Sequence, residues 1–235
     1  MTTSLRLHYA PDNASLIVRL ALEELGLPYE TLLVDRSQQA QRAPEYLRLN
    51  PNGTIPVLET PDGALFETAA ILLWLSDQAA RLAPAPGSAE RGRFLTWLFW
   101  CSNTLHVDLR QYFYPEKYIG PYPSHHAQLR QMLRQRLQDH LRMVDAALAV
   151  TPALTGKDQP TLLDLYLPCL LRWTKLYAET AQTPWFELSA YPALSEVCRR
   201  AEARNSTKAA QIAEGLGPTP FTAPTFAIPP EGSAT

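Results

Sequence analysis

Two short segments carry the groups best placed to do chemistry: Asn50-Pro51-Asn52-Gly53-Thr54-Ile55-Pro56-Val57-Leu58 and, after a turn, Leu65-Phe66-Glu67-Thr68. Pro56 sits at the start of a strand, where it has no N–H to give to a sheet, so it belongs at an edge or in a cis turn. A cis Ile55-Pro56 bond would turn the Ile55 N–H and C=O away from the sheet, so that an extended peptide could pair with them as an added strand. A trans proline opening an edge strand is the alternative. Glu67-Thr68 falls where a strand passes into the apolar helical run Ala69, Ile71, Leu72, Trp74 and Leu75, at a helix N-terminus. Free N–H groups and the positive end of the helix dipole favour an anion there, the Thr68 hydroxyl adds a donor, and an ionised Glu67 complements an ammonium group. The pair suits the carboxylate and amine of an amino acid held side by side. The competing reading is that Glu67 or Thr68 caps the helix.

These segments must be positioned by a β-α-β-α-β-β-α succession. Leu5 to Tyr9 alternates and runs into the turn Ala10-Pro11-Asp12-Asn13; a helix with apolar Leu16, Ile17, Leu20 and Leu25 follows and stops at Gly26 and Pro28. Tyr29 to Val34 is a second strand, joined to the first by a parallel crossover. Pro44 to Leu49 is a short helix, and Pro56 to Glu59 with Ala64 to Phe66 forms a hairpin through Thr60-Pro61-Asp62-Gly63. The order is that of a thioredoxin-like domain over residues 1–80. Residues 81–89, rich in proline and small side chains, read as a linker. Residues 90–217 read as all-α, with helical spacing over Glu90 to Phe113, Ala127 to Val150, Leu162 to Thr180, Ala193 to Arg204 and Thr207 to Gly215. Thr161-Leu162-Leu163-Asp164 has the form of a capping box, a folding device. Residues 218–235, with Pro218, Pro220, Pro224, Pro229 and Pro230, cannot continue a helix and form an extended or disordered tail.

Composition excludes several classes. A formal charge of −2 gives no reason to expect nucleic acid, and 46% apolar with 19% charged residues is ordinary for a globular protein. Neither a leader nor an apolar stretch of bilayer length is apparent, so no membrane partner and a cytoplasmic location are expected. Cys101, Cys169 and Cys198 are far apart with no C-x-x-C pair, which points to free thiols. Adjacent His125 and His126 do not converge as ligands, so no metal is expected.

Over residues Ser4 to Gly217 the chain resembles the cytosolic glutathione transferases, most nearly the bacterial beta class. The likeness is carried by the ordered set Leu5-Arg6-Leu7-His8-Tyr9-Ala10-Pro11, Ala21-Leu22-Glu23-Glu24-Leu25-Gly26-Leu27-Pro28-Tyr29-Glu30, Ile55-Pro56 and Glu67-Thr68. It implies a thioredoxin-like domain followed by an all-helical one, a twofold homodimer, and glutathione as co-substrate. Ile55 and Pro56 would hold its cysteinyl backbone, Glu67 and Thr68 its γ-glutamyl end, and Gln39 and Asn52 its glycyl carboxylate. The beta class has basic residues at those last two positions, and neither is basic here.

Glutathione chemistry needs a thiolate, and lowering a thiol pKa of about 8.5 by about two units takes roughly 2.7 kcal/mol of selective stabilisation. The nucleophile positions of related classes fall on Ala10 and Ala14, and no cysteine occurs in the first domain. Tyr9, Asn13, Ser15 and His106 are the candidates that remain. Tyr9 competes with a packing role, Asn13 and Ser15 with helix capping, and His106, where beta-class relatives place a histidine near the sulfur, with a plain interface hydrogen bond. The second substrate, a small hydrophobic molecule or a disulfide, would lie against the aromatic stretch Tyr112 to Tyr122 and Arg172-Trp173. The implied enzyme conjugates glutathione to an electrophile or uses it to reduce a disulfide or peroxide. A non-catalytic ligand-binding protein of the same fold is the rival, and an assembly module a third reading.

Overall fold

The computed structural model describes residues 5–179 and 184–233. Residues 1–4 and 234–235, at the outer ends of the expected first domain and tail, and Thr180, the expected end of one helix, lie outside the described residues. A four-stranded sheet of order β2-β1-β3-β4 is built from β1 (Leu5–Tyr9), β2 (Tyr29–Leu33), β3 (Val57–Thr60) and β4 (Gly63–Phe66). β2 runs parallel to β1, with Leu7 opposite Thr31, whereas β3 is antiparallel to both β1 and β4. The crossover between β1 and β2 is α1 (Ser15–Leu25), ended by Gly26 at φ 66°, a left-handed cap that glycine adopts without a side-chain penalty. α2 (Pro44–Leu49) and α3 (Thr68–Ala79) complete the first, thioredoxin-like domain.

The second domain is helical. α4 (Arg91–Trp100) and α5 (His106–Phe113) are one continuous rod interrupted by a π-turn at Cys101–Leu105. Simple periodicity predicts an unbroken helix there; the π-turn widens the rod just before His106, as such insertions often do near functional sites. α6 (Glu116–Ile119), α7 (Pro123–Val150), α8 (Leu162–Glu179), α9 (Pro192–Glu202) and α10 (Asn205–Glu214) follow. α7 begins four residues before the expected Ala127 because Pro123 occupies its first turn, where a missing N–H costs nothing. Thr161 does cap α8: its Oγ1 accepts the Leu163 N–H at 3.2 Å, and Asp164 Oδ2 accepts the Thr161 N–H at 2.8 Å.

Buried leucines join the two domains in one apolar core, with Leu16, Leu20 and Leu72 from the sheet side and Leu98, Leu163 and Leu170 from the bundle. Each contributes on the order of 2 kcal/mol when fully buried. The proline-rich segment after α10 is extended and packed, not disordered over its described residues. Phe221 is buried, and the Ile228 N–H donates to Gly215 O at 2.9 Å.

Candidate functional site

A cleft of about 510 Å³ lies where the sheet domain meets α5 and α8. Its floor begins at the turn after β1. Asn13 Oδ1 accepts the Ala14 N–H at 2.8 Å, which leaves the amide nitrogen of Asn13 without a protein acceptor among the described residues, and Asn13 lines the cleft. Ser15 does not. Its fully buried Oγ accepts the Ala10 N–H and donates to Ala10 O at 3.0 Å, so the hydroxyl closes the turn instead of meeting a ligand. Tyr9 is likewise not among the lining residues. Its buried hydroxyl donates to Glu231 of the tail, with Arg19 lying 4.7 Å from its ring centroid. Burial and the Glu231 carboxylate both push the Tyr9 phenol up, so it stays protonated. Two of the four residues proposed for sulfur therefore face elsewhere, because each hydroxyl already has a hydrogen-bond partner within the fold.

His106, the first residue of α5, lines the cleft, with Nδ1 3.0 Å from the Tyr166 hydroxyl and its ring tilted against Trp173 at 5.7 Å. Burial, with the Arg110 cation adding to it, brings its pKa down to about 4. The imidazole is neutral at physiological pH, able to share a hydrogen bond without a standing charge.

At the other end stand Glu67 and Thr68. Glu67 has φ 71° and ψ 112°, a conformation that costs a non-glycine residue energy, and its side chain makes no capping bond to α3. The helix-cap alternative for Glu67 is thereby removed. Its carboxylate is exposed on the cleft, beside the buried Thr68. The Ile55-Pro56 peptide bond is cis, and Ile55 lines the cleft just ahead of the ladder, which starts at Val57.

Asn52 lines the cleft but Gln39, at a left-handed φ of 53°, does not; Gln41 and Arg42 line it instead. Arg42 Nη1 donates to Asn52 O at 3.4 Å, so a basic group stands at this end although neither position 39 nor 52 supplies it. Arg36, Arg110 and Lys117 also line the cleft, none of them singled out by the motifs. On the bundle side, Phe113 stacks on Tyr177 with ring centroids 4.1 Å apart, and both face the cleft with Tyr114. Trp173 lines it, whereas Arg172 is fully buried behind it. Tyr112 is buried and Tyr122 lies outside, 63% exposed. No group of three metal-ligating side chains occurs among the described residues.

Residues 14–78 match the family model described as "Glutathione S-transferase, N-terminal domain". Glutathione S-transferase GST-4.5 of Xanthomonas campestris pv. campestris is 30% identical over 90% of this chain and all of its own length. The disulfide-bond oxidoreductase YfcG of Escherichia coli K12 is 30% identical over 90% of this chain and 96% of its own. Among solved structures, a glutathione transferase of Burkholderia graminis with two glutathione molecules bound per subunit superposes with a TM-score of 0.76. It is 25% identical and covers 91% of this chain and 90% of its own.

Proposed function

Because the chain belongs to the glutathione S-transferase family, we propose that this cleft binds glutathione with its γ-glutamyl end at Glu67 and Thr68 and its thiol at Asn13 and His106. The chain is a glutathione-transferase-like enzyme, which conjugates glutathione to an electrophile or uses it in thiol-disulfide or peroxide reduction. The observation that carries the residue assignment is that Glu67, with no capping duty, shares one cleft with Thr68, Ile55, Asn13 and His106.

In this reading the Glu67 carboxylate pairs with the ligand ammonium, and the Thr68 hydroxyl and the first N–H groups of α3 receive the neighbouring carboxylate. Arg42, with Asn52, receives the glycyl carboxylate. The Asn13 amide and the neutral His106 ring donate to sulfur, stabilising the anion relative to the thiol without a protein nucleophile. No step passes through a mixed disulfide with the protein, since Ala10 and Ala14 stand at the nucleophile positions and Cys101, Cys169 and Cys198 are all buried.

Two coarser features belong to the same reading. Phe99, 41% exposed, stands just ahead of the π-turn beside partly exposed Trp97 and Trp100, an apolar face that a second copy would cover in a homodimer. The three free thiols match a reducing, cytoplasmic setting. Calorimetric titration with glutathione tests the function directly, and thiolate absorbance of the bound ligand at neutral pH tests activation. Absence of heat would overturn the reading; binding with no thiolate band would leave a binding protein.

A further inference from the structure

We propose that the part of the cleft walled by α5 and α6 takes a second substrate carrying a carboxylate or similar anion on a flat apolar body, with Lys117 and Arg110 as the specificity-determining cations. The proposal rests on the glutathione reading above and names the partner that the thiolate attacks.

The charge on the cleft wall is uneven. Arg36, Arg42, Arg110 and Lys117 line it, against the carboxylates of Asp12 and Glu67 among the described residues. Asp12 is already closed in a bidentate pair by the buried Arg172, and Glu67 answers the glutathione ammonium. Arg42 and the start of α3 suffice for the two carboxylates of glutathione. That leaves cationic charge on the bundle side with no carboxylate of the first ligand to meet it.

This surplus sits on an aromatic surface. Lys117 Nζ lies 4.1 Å from the Tyr114 ring centroid in the cleft, and the Arg110 guanidinium 6.0 Å from that of Tyr118, which stands outside the lining. Neither cation has a carboxylate within ion-pair distance among the described residues. Arg36 donates to the Tyr114 hydroxyl at 3.5 Å and has further contacts, so it lends charge only. With Phe113 and Tyr177 stacked alongside, the wall offers a π face and a positive rim, complementary to an aromatic acid. With a halogenated aromatic acid as the second substrate, the glutathione sulfur forms a bond to the halogen-bearing ring carbon and the carbon–halogen bond breaks. Halide then leaves with the bonding pair, and the thiol proton goes to solvent. A second glutathionyl group, as in glutathione disulfide, presents the same carboxylate chemistry from another source.

The test is calorimetric and does not require turnover. The protein saturated with S-methylglutathione is titrated with 3,5-dinitrobenzoate, with its uncharged methyl ester, and, without the first ligand, with glutathione disulfide. The acid is expected to bind more tightly than the ester, and Lys117→Met combined with Arg110→Met is expected to weaken the acid up to about tenfold more than the ester, as two exposed charge pairs would. That difference shrinks at high salt. Equal affinity of acid and ester, or equal loss of both in the double variant, overturns the proposal. Dependence of the disulfide alone on the two cations assigns the anion to a second glutathionyl group and overturns the aromatic acid. Failure of S-methylglutathione itself to bind overturns the parent reading instead, and this proposal with it.

Discussion

Arg172 of α8 and Asp12 of the turn after β1 form a closed pair across the seam between the two domains. Arg172 Nε and Nη2 each donate to an Asp12 carboxylate oxygen at 2.8 Å, and the indole N–H of Trp173 donates to Asp12 Oδ1 at the same distance. The same guanidinium also donates to the Leu216 carbonyl just after α10 and to the Pro220 and Thr225 carbonyls of the tail. One buried cation thus ties together the turn that carries Asn13, the bundle helix and the returning C-terminal segment. Breaking it by Arg172→Met strands a buried carboxylate and is expected to cost about 3–5 kcal/mol. Urea unfolding measures this, and adding Asp12→Asn should recover part of the loss. A single variant as stable as the parent contradicts the role.

Glu67→Gln should raise the glutathione Kd by about tenfold or more, roughly 1.4 kcal/mol, because a charge-assisted contact to the ammonium is replaced by a neutral one. Stability should change little, since the Glu67 side chain makes no capping bond. Calorimetry with a parallel thermal melt separates the two effects, and unchanged affinity would remove Glu67 from the site.

The depressed pKa of His106, down to about 4 from the ordinary 6.5, sets a pH dependence of definite sign. Between these values the unfolded chain binds the proton that the folded ring refuses, so the contribution to stability is full above about 6.5 and is lost as pH falls through about 4. The His106 imidazole resonances should stay flat from pH 8 to pH 5, and stability of the His106→Ala variant should fall less steeply with acid. A ring titrating near 6.5 would show a solvated histidine.

At Gly215, φ is 64° and an added Cβ would come within 1.9 Å of Ile228 O, where the tail doubles back. Gly215→Ala combines the left-handed penalty with that clash and is expected to destabilise by more than about 1 kcal/mol. Limited proteolysis should then cut within residues 218–233 faster than in the parent. Equal protection would mean that the tail is held without this approach.

Thr161→Ala removes the Oγ1 that accepts the Leu163 N–H and donates to Leu154 O at 2.7 Å. A loss on the order of 1 kcal/mol, read from the urea midpoint with glutathione affinity unaltered, is the signature of a pure folding role.

Local patterning alone determined a good deal of this protein. The alternation of Leu5 to Tyr9, the Gly26 stop, the hairpin around Pro61-Asp62 and the helix beginning at Thr68 are near-neighbour effects, and they place Ile55 and Glu67 without knowledge of distant contacts. The chemistry of individual polar groups was another matter. Tyr9 and Ser15 have the right types and sit in the right segment. Yet the hydroxyl of one is taken by Glu231, at the far end of the chain, and the other closes its own turn. Conversely Arg36, Arg42, Arg110 and Lys117 belong to no motif, and only the docking of bundle on sheet brings them to one cleft. The reason is that periodicity encodes which face of an element is buried. A buried hydroxyl or a cleft cation is defined by whichever group, however remote in sequence, arrives to satisfy it, and that is settled by packing.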